Sequence, residues 1–189
     1  EPYLQERYMV FDVRQTPYED TLERNLYISL EAMRGHLVGP GRRGDIELVE
    51  EEDRWVIRFD PCASGGRILR GDPEEGTGSR VLAPYEFGVI EEPRPWTWNE
   101  TGVCHYCAHC NLALSTIPAE RWGHPVRTVD PPLWRGPDDP ATNRKCQWSV
   151  WKSLEVIPER EYERIGRTKP PLPVIQLDAT GPATGGPTA

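Results

Sequence analysis

The sequence predicts an α+β fold: a small antiparallel sheet with helices packed on one face and long loops rich in Pro and Gly. Three observations carry that expectation. One N-terminal segment repeats apolar residues at helical spacing. Several later segments alternate apolar and polar residues in the period of a strand. Between them lie breaker-rich stretches, with 20 Pro and 17 Gly in 189 residues.

Residues 1–17 hold Tyr3, Leu4, Tyr8, Val10 and Phe11 and are expected to form an extended N-terminal arm packing on the body. A helix is expected from Tyr18 to Leu37. Leu22, Leu26, Leu30, Met33 and Leu37 recur at steps of four, four, three and four, and Gly39-Pro40-Gly41 should stop it. A hairpin follows. Asp45–Val49 runs into the acidic turn Glu50–Asp53, and Trp55, Ile57 and Phe59 then alternate with Val56 and Arg58. Residues 60–67, with Gly65-Gly66, are expected to be a glycine-rich turn.

Residues 71–95 read as a long loop with a short strand at Tyr85–Ile90. Val103, Cys107, Cys110, Leu114 and Ile117 share one helical face, and Pro118 is expected to close that helix. Val126–Val129 is a short strand. Lys145–Trp151 is a second alternating strand, with Cys146, Trp148 and Val150 on one face. The division expected is an arm over 1–17, one α+β metal-binding domain over 18–168 and a flexible tail over 169–189.

Composition narrows the function classes. Charged residues make up 28% of the chain and the net charge is −8. That balance repels polyanions, so neither nucleic acid nor an anionic membrane is an expected partner. No run of about 20 apolar residues is present to span a bilayer, and no basic-then-apolar leader opens the sequence. Five cysteines, an odd number with three inside seven residues, point to a reducing, cytoplasmic compartment rather than a disulfide framework. A homo-oligomer is left open.

The chemistry gathers on Cys104-His105-Tyr106-Cys107-Ala108-His109-Cys110. Thiols three residues apart can converge on one ion, and soft or borderline metals prefer thiolates in such sets. Cys104, Cys107, Cys110 and Cys146 are the candidate metal ligands. Zinc is the expected metal and an iron–sulfur cluster its rival, because Cys-x2-Cys-x2-Cys with a remote cysteine is also a cluster pattern. The alternative reading is that these are small buried hydrophobes.

Cys62, His105 and His109 are the candidate catalytic groups, Cys62 as a nucleophile in Cys62-Ala63-Ser64-Gly65-Gly66-Arg67 and the histidines moving protons. Arg67, Arg70 and His124 are candidate substrate contacts. Trp96, Trp98, Trp122 and Trp148 either wall an aromatic ligand site or pack the core.

Cys62, the 104–110 cluster and the Cys146-Gln147-Trp148 strand resemble elements of the small ligand-binding domains related to 4-vinyl reductases. They are also similar to the family named for L-2-amino-thiazoline-4-carboxylate hydrolase. The resemblance implies a small α+β domain that binds a small molecule beside cysteines.

Three functions follow. The first is a metal-dependent hydrolase or lyase acting on a small anionic or aromatic molecule. The second is a non-catalytic zinc-stabilised protein-interaction module, and the third an iron–sulfur electron carrier or sensor.

Overall fold

In the computed structural model, residues 11–37, 45–60, 62, 64–72 and 75–172 are described. The Gly39-Pro40-Gly41 stop, the first ten residues of the arm and the tail from 173 onward lie outside them.

Four antiparallel strands form one sheet. They are β1 (Asp45–Glu50), β2 (Arg54–Asp60), β3 (Thr128–Asp130) and β4 (Cys146–Trp151), in the order β1-β2-β4-β3. The expected hairpin pairs Ile46 with Phe59 and Val49 with Val56. Its turn is closed by Glu51, whose N–H donates to Arg54 O and whose carboxylate meets Arg54 Nε, each at 2.8 Å.

β2 is more buried than half-buried alternation predicts. Val56 is sequestered along with Ile57 and Phe59, because β2 lies between β1 and β4 and both of its faces are covered. On one face, Phe59 stands opposite Cys146 and Ile57 opposite Trp148, which in turn faces Val129. These side chains form the main core with Met33 and Leu69. On the other face, Trp151 packs with Ile157 and Tyr162.

The helical layer begins with a 3-10 turn, Tyr18–Thr21, that leads into α1 (Leu22–Leu37). Leu26, Leu30 and Met33 of the sequence stripe meet the core. Leu22 is not in that cluster, and the Leu37 side chain lies outside what is described. The expected glycine-rich turn is instead a short helix, α2 (Gly65–Arg70). Two adjacent glycines carry a helix penalty of about 1 kcal/mol each, but here both are buried, and at Gly65 the missing side chain is what lets α2 pack closely against Cys107. The expected strand at Tyr85–Ile90 is reduced to a single bridge, Val89 to Cys104.

The cysteine helix is a composite run. A 3-10 turn at His105–Cys107 is followed by α3 (Ala108–Asn111), a π turn at Leu112–Thr116 and α4 (Ile117–Trp122). Pro118 therefore does not end the helix; the run continues through it. Short helices α5 (Pro140–Asn143) and α6 (Glu159–Glu163) complete the set. No described helix is long and apolar enough to cross a membrane.

Candidate functional site

Pro118 has no N–H, so the Leu114 carbonyl loses the partner an α-helix would give it. The widened π turn turns that carbonyl outward, where it accepts from Arg127 N–H at 3.2 Å. One residue on, Ser115 Oγ donates to Arg127 O at 2.9 Å. The proline thus docks the β3 approach onto the helix and fixes Arg127 between them. The buried Arg127 side chain is held by Nε donating to Asn25 Oδ1 of α1 at 3.0 Å. Its guanidinium carbon stands 5.3 Å from the centre of the Trp148 ring.

Between α1, the composite helix and the sheet lies a cavity of about 190 Å³. Four of the five cysteines line it: Cys62 after β2, Cys107 and Cys110 on the composite helix, and Cys146 at the start of β4. They reach it from three separate stretches of chain. Trp98, Tyr106, His109, Trp148 and Arg127 also line it. Trp98 is buried with a left-handed backbone, φ 55°. A bulky residue there costs on the order of 1–3 kcal/mol, a strain that tends to collect at functional sites.

Close packing fixes one thiol. A Cβ added to Gly65 would stand 2.2 Å from Cys107 Sγ, so that sulfur occupies the notch the glycine leaves. Cys104 is different. It precedes the helix in an extended conformation, φ −60° and ψ 134°, bridges to Val89 and is buried, so it does not line the cavity. Because Cys104 lies outside the helix, the helical phase that orders Cys107 and Cys110 does not apply to it. Its sulfur pairs with Cys107. The hydrogen bond from Cys107, with backbone N–H groups at the helix start, outweighs burial and lowers the Cys104 thiol to about 7. The same bond, then burial, pushes Cys107 well above its ordinary value.

Burial and the neighbouring Cys62 push Cys110 up to about 12, against a smaller opposing effect of Arg127. Cys146 is pushed up by burial and then by Cys62 and Cys110. The thiols therefore sense one another's charge, and ionising several together needs a compensating cation. All five are free. As the side chains stand, no three Cys, His, Asp or Glu groups among the described residues come within reach of a single ion.

The remaining sequence candidates divide. His109 lines the cavity, with Nδ1 2.7 Å from Tyr106 O and its ring 4.8 Å from Tyr106. His105 is exposed beside Gly88 and does not line it. Arg67 is buried in an ion pair with Asp72 at 2.8 Å, and its backbone N–H donates to Cys62 O. Arg70 pairs with Asp60 at 2.8 Å. His124 sits in the core, its two ring nitrogens each 3.1 Å from a carbonyl, those of Pro125 and Phe11. None of these three reaches the cavity.

Of the four flagged tryptophans, Trp98 and Trp148 line it. Trp122 lines a neighbouring cavity of about 370 Å³, and Trp96 is partly exposed. Arg127 was not among the sequence candidates; an arginine in the apolar run Pro125-Val126-Arg127-Thr128-Val129 was its one available signal.

Compared with protein-family models, with curated proteins and with solved structures, the chain matches none of them.

Proposed function

We propose that the 190 Å³ cavity is a thiolate-held metal centre at which a small anionic or aromatic molecule is bound and transformed by hydrolytic or lyase chemistry. One observation carries the reading: Cys62, Cys107, Cys110 and Cys146 line a single cavity. The donor set fits a thiophilic metal by type, because thiolates in sets of four select zinc or iron over hard cations. The indole N–H groups of Trp98 and Trp148, both lining residues, are buried without an acceptor. A bound anionic group would supply one.

A metal held there supplies Lewis acidity, polarising a carbonyl or activating a water. The chain's own residues do the rest. Arg127 offers a buried cation to an anionic group, and Trp148, Trp98 and Tyr106 give flat apolar walls. With the Nδ1 proton donated to Tyr106 O, the Nε2 of His109 is left to accept a proton at the cavity.

The test is elemental analysis of the full chain purified without chelators and without oxygen, paired with a thiol count. We expect at least one thiophilic metal per chain and, once it is stripped, about four newly titratable thiols. A chain grown with ample zinc and iron that carries neither, with all its thiols reactive after unfolding, would refute the proposal.

A further inference from the structure

We propose that the molecule taken by the thiol-lined cavity is amphipathic, an anionic head at that cavity carrying an apolar tail that lies in the 370 Å³ cavity beside it. This rests on the small-molecule reading above and names its substrate class.

The tail site is built into the helix faces. On α1, Asn25, Ile28, Ser29 and Ala32 fall at i, i+3, i+4 and i+7 and share one face. The polar pair anchors the helix: Asn25 Nδ2 donates to Val126 O at 2.8 Å, and Ser29 Oγ donates to Asn25 O. The apolar pair, Ile28 and Ala32, lines the cavity. Ala113 of the π turn lines it as well, and two methyl groups are too short to fill the space between the helices.

Phe11 and Trp122 add the aromatic part of the wall, their ring centres 6.1 Å apart. Both are held in place. The Phe11 carbonyl meets His124 Nε2 at 3.1 Å, and Arg14 Nη2 donates to Arg121 O at 2.6 Å, which ties the same N-terminal segment to α4.

The two cavities adjoin, because Ala32, Ala113, Leu114 and Arg127 line both. Ala32 and Ala113 are exposed, so solvent reaches the boundary they share. Size favours one ligand across it. Pockets for drug-sized molecules run to about 300–1,000 Å³; 190 Å³ falls short of that range, and the adjoining 370 Å³ brings the pair within it.

The linings differ in chemistry. The four thiols line the first cavity only, whereas the side chains of Phe11, Ile28, Leu114 and Val126 in the second offer no hydrogen bond. A polar tail would lose water there without gaining a partner, while each apolar methylene buried is worth about fourfold in affinity. Arg127 stands at the boundary, which keeps the anionic head on the thiol side and runs the rest of the molecule toward Phe11 and Trp122.

The experiment titrates straight-chain carboxylates, butanoate to decanoate and below their micelle concentrations, into the full chain by calorimetry. The 1-alkanols of matching length serve as headless controls. We expect carboxylate affinity to rise about two- to fourfold per methylene and then level off, with the alkanols at least about tenfold weaker. Ala113→Phe, at an exposed helical position, fills the boundary and should cut the gain to below about 1.5-fold per methylene, with unchanged circular dichroism. Trp122→Ala enlarges the tail cavity and should move the levelling-off to longer tails.

Carboxylate binding without length dependence overturns the tail and leaves the small-molecule site standing. Alkanols as tight as the carboxylates overturn the amphipathic ligand, since the apolar cavity would then act alone. A full gain per methylene in a folded Ala113→Phe overturns the placement of the tail. Binding by no member of either series overturns the inference, while the thiolate-held metal centre is judged separately by its metal and thiol counts.

Discussion

Gly65→Ala places one methyl group where the structure has no room for it. The added Cβ would lie 2.2 Å from Cys107 Sγ and 3.8 Å from Cys107 Cβ. Cysteine has one side-chain torsion, so relief requires either rotating the sulfur by about 120° to another well or pushing α2 away from the composite helix. Overpacking of this kind costs about 1–3 kcal/mol. Replacing glycine by alanine in a helix returns about 0.5–1 kcal/mol, less at a helix's first residue. The net loss is about 1–2 kcal/mol, or roughly 2–8 °C in Tm for a chain of this size.

Two companions sharpen the measurement. Gly78→Ala meets nothing within 4 Å and needs no left-handed backbone, so it should be neutral or slightly stabilising. Adding Cys107→Ala to Gly65→Ala removes the clash. The double variant should therefore be less destabilised than the two single losses predict together. The assay is thermal and urea unfolding, with metal content measured on the same samples. An unchanged or higher Tm with full metal content in Gly65→Ala would show that the notch does not hold the Cys107 sulfur.

Three other outcomes follow from contacts already described. Arg67→Met removes the ion pair that the buried Asp72 carboxylate makes with Arg67 at 2.8 Å. Urea unfolding should show a loss of about 3–5 kcal/mol, with a much smaller loss when Asp72 is also made apolar. His124 is fully buried and desolvation lowers its pKa, so the unfolded chain binds its proton first as pH falls. The stability it contributes is present above about 6.5 and is lost as pH falls through that value toward its lowered folded pKa, at up to about 1.4 kcal/mol per pH unit. Comparison of wild type with His124→Gln in urea between pH 7 and 5 tests this, and an equal slope in both would refute it. Pro118→Ala restores an N–H that competes with Arg127 for the Leu114 carbonyl. Its effect on global stability should be small, about 0.5 kcal/mol either way, while amide exchange at Arg127 accelerates.

What was legible in the sequence is what depends on local period. Leu26, Leu30 and Met33 find the core because a helix repeats every 3.6 residues wherever it lies. Cys146, Trp148 and Val150 share a face for the corresponding reason in a strand. The clustering of cysteines was legible as well, including the remote positions Cys62 and Cys146. The partition of roles was not. Cys104 belongs to the spacing Cys-x2-Cys-x2-Cys, yet it lies one residue before the helix starts, so the wheel that orders Cys107 and Cys110 says nothing of it. Arg67 and Arg70 sit close to Cys62 in sequence. α2 turns both toward carboxylates, Asp72 and Asp60, that no local pattern singles out.

Arg127 shows the same limit from the other side. Its place on the cavity wall depends on Pro118, nine residues earlier, because a missing N–H freed the Leu114 carbonyl to take the Arg127 backbone. It depends equally on Asn25, about a hundred residues earlier, whose Oδ1 holds the side chain. Read alone, Pro118 signals the end of a helix. In the fold it ends only one hydrogen bond, and that released carbonyl helps fix a buried cation beside the thiols. A proline near a predicted helix terminus that also precedes a strand-like run therefore has two readings. Whether the chain finds an outside donor for the orphaned carbonyl decides between a stop and a π turn. Here Arg127 N–H is that donor, and the cavity gains its charged wall as a consequence.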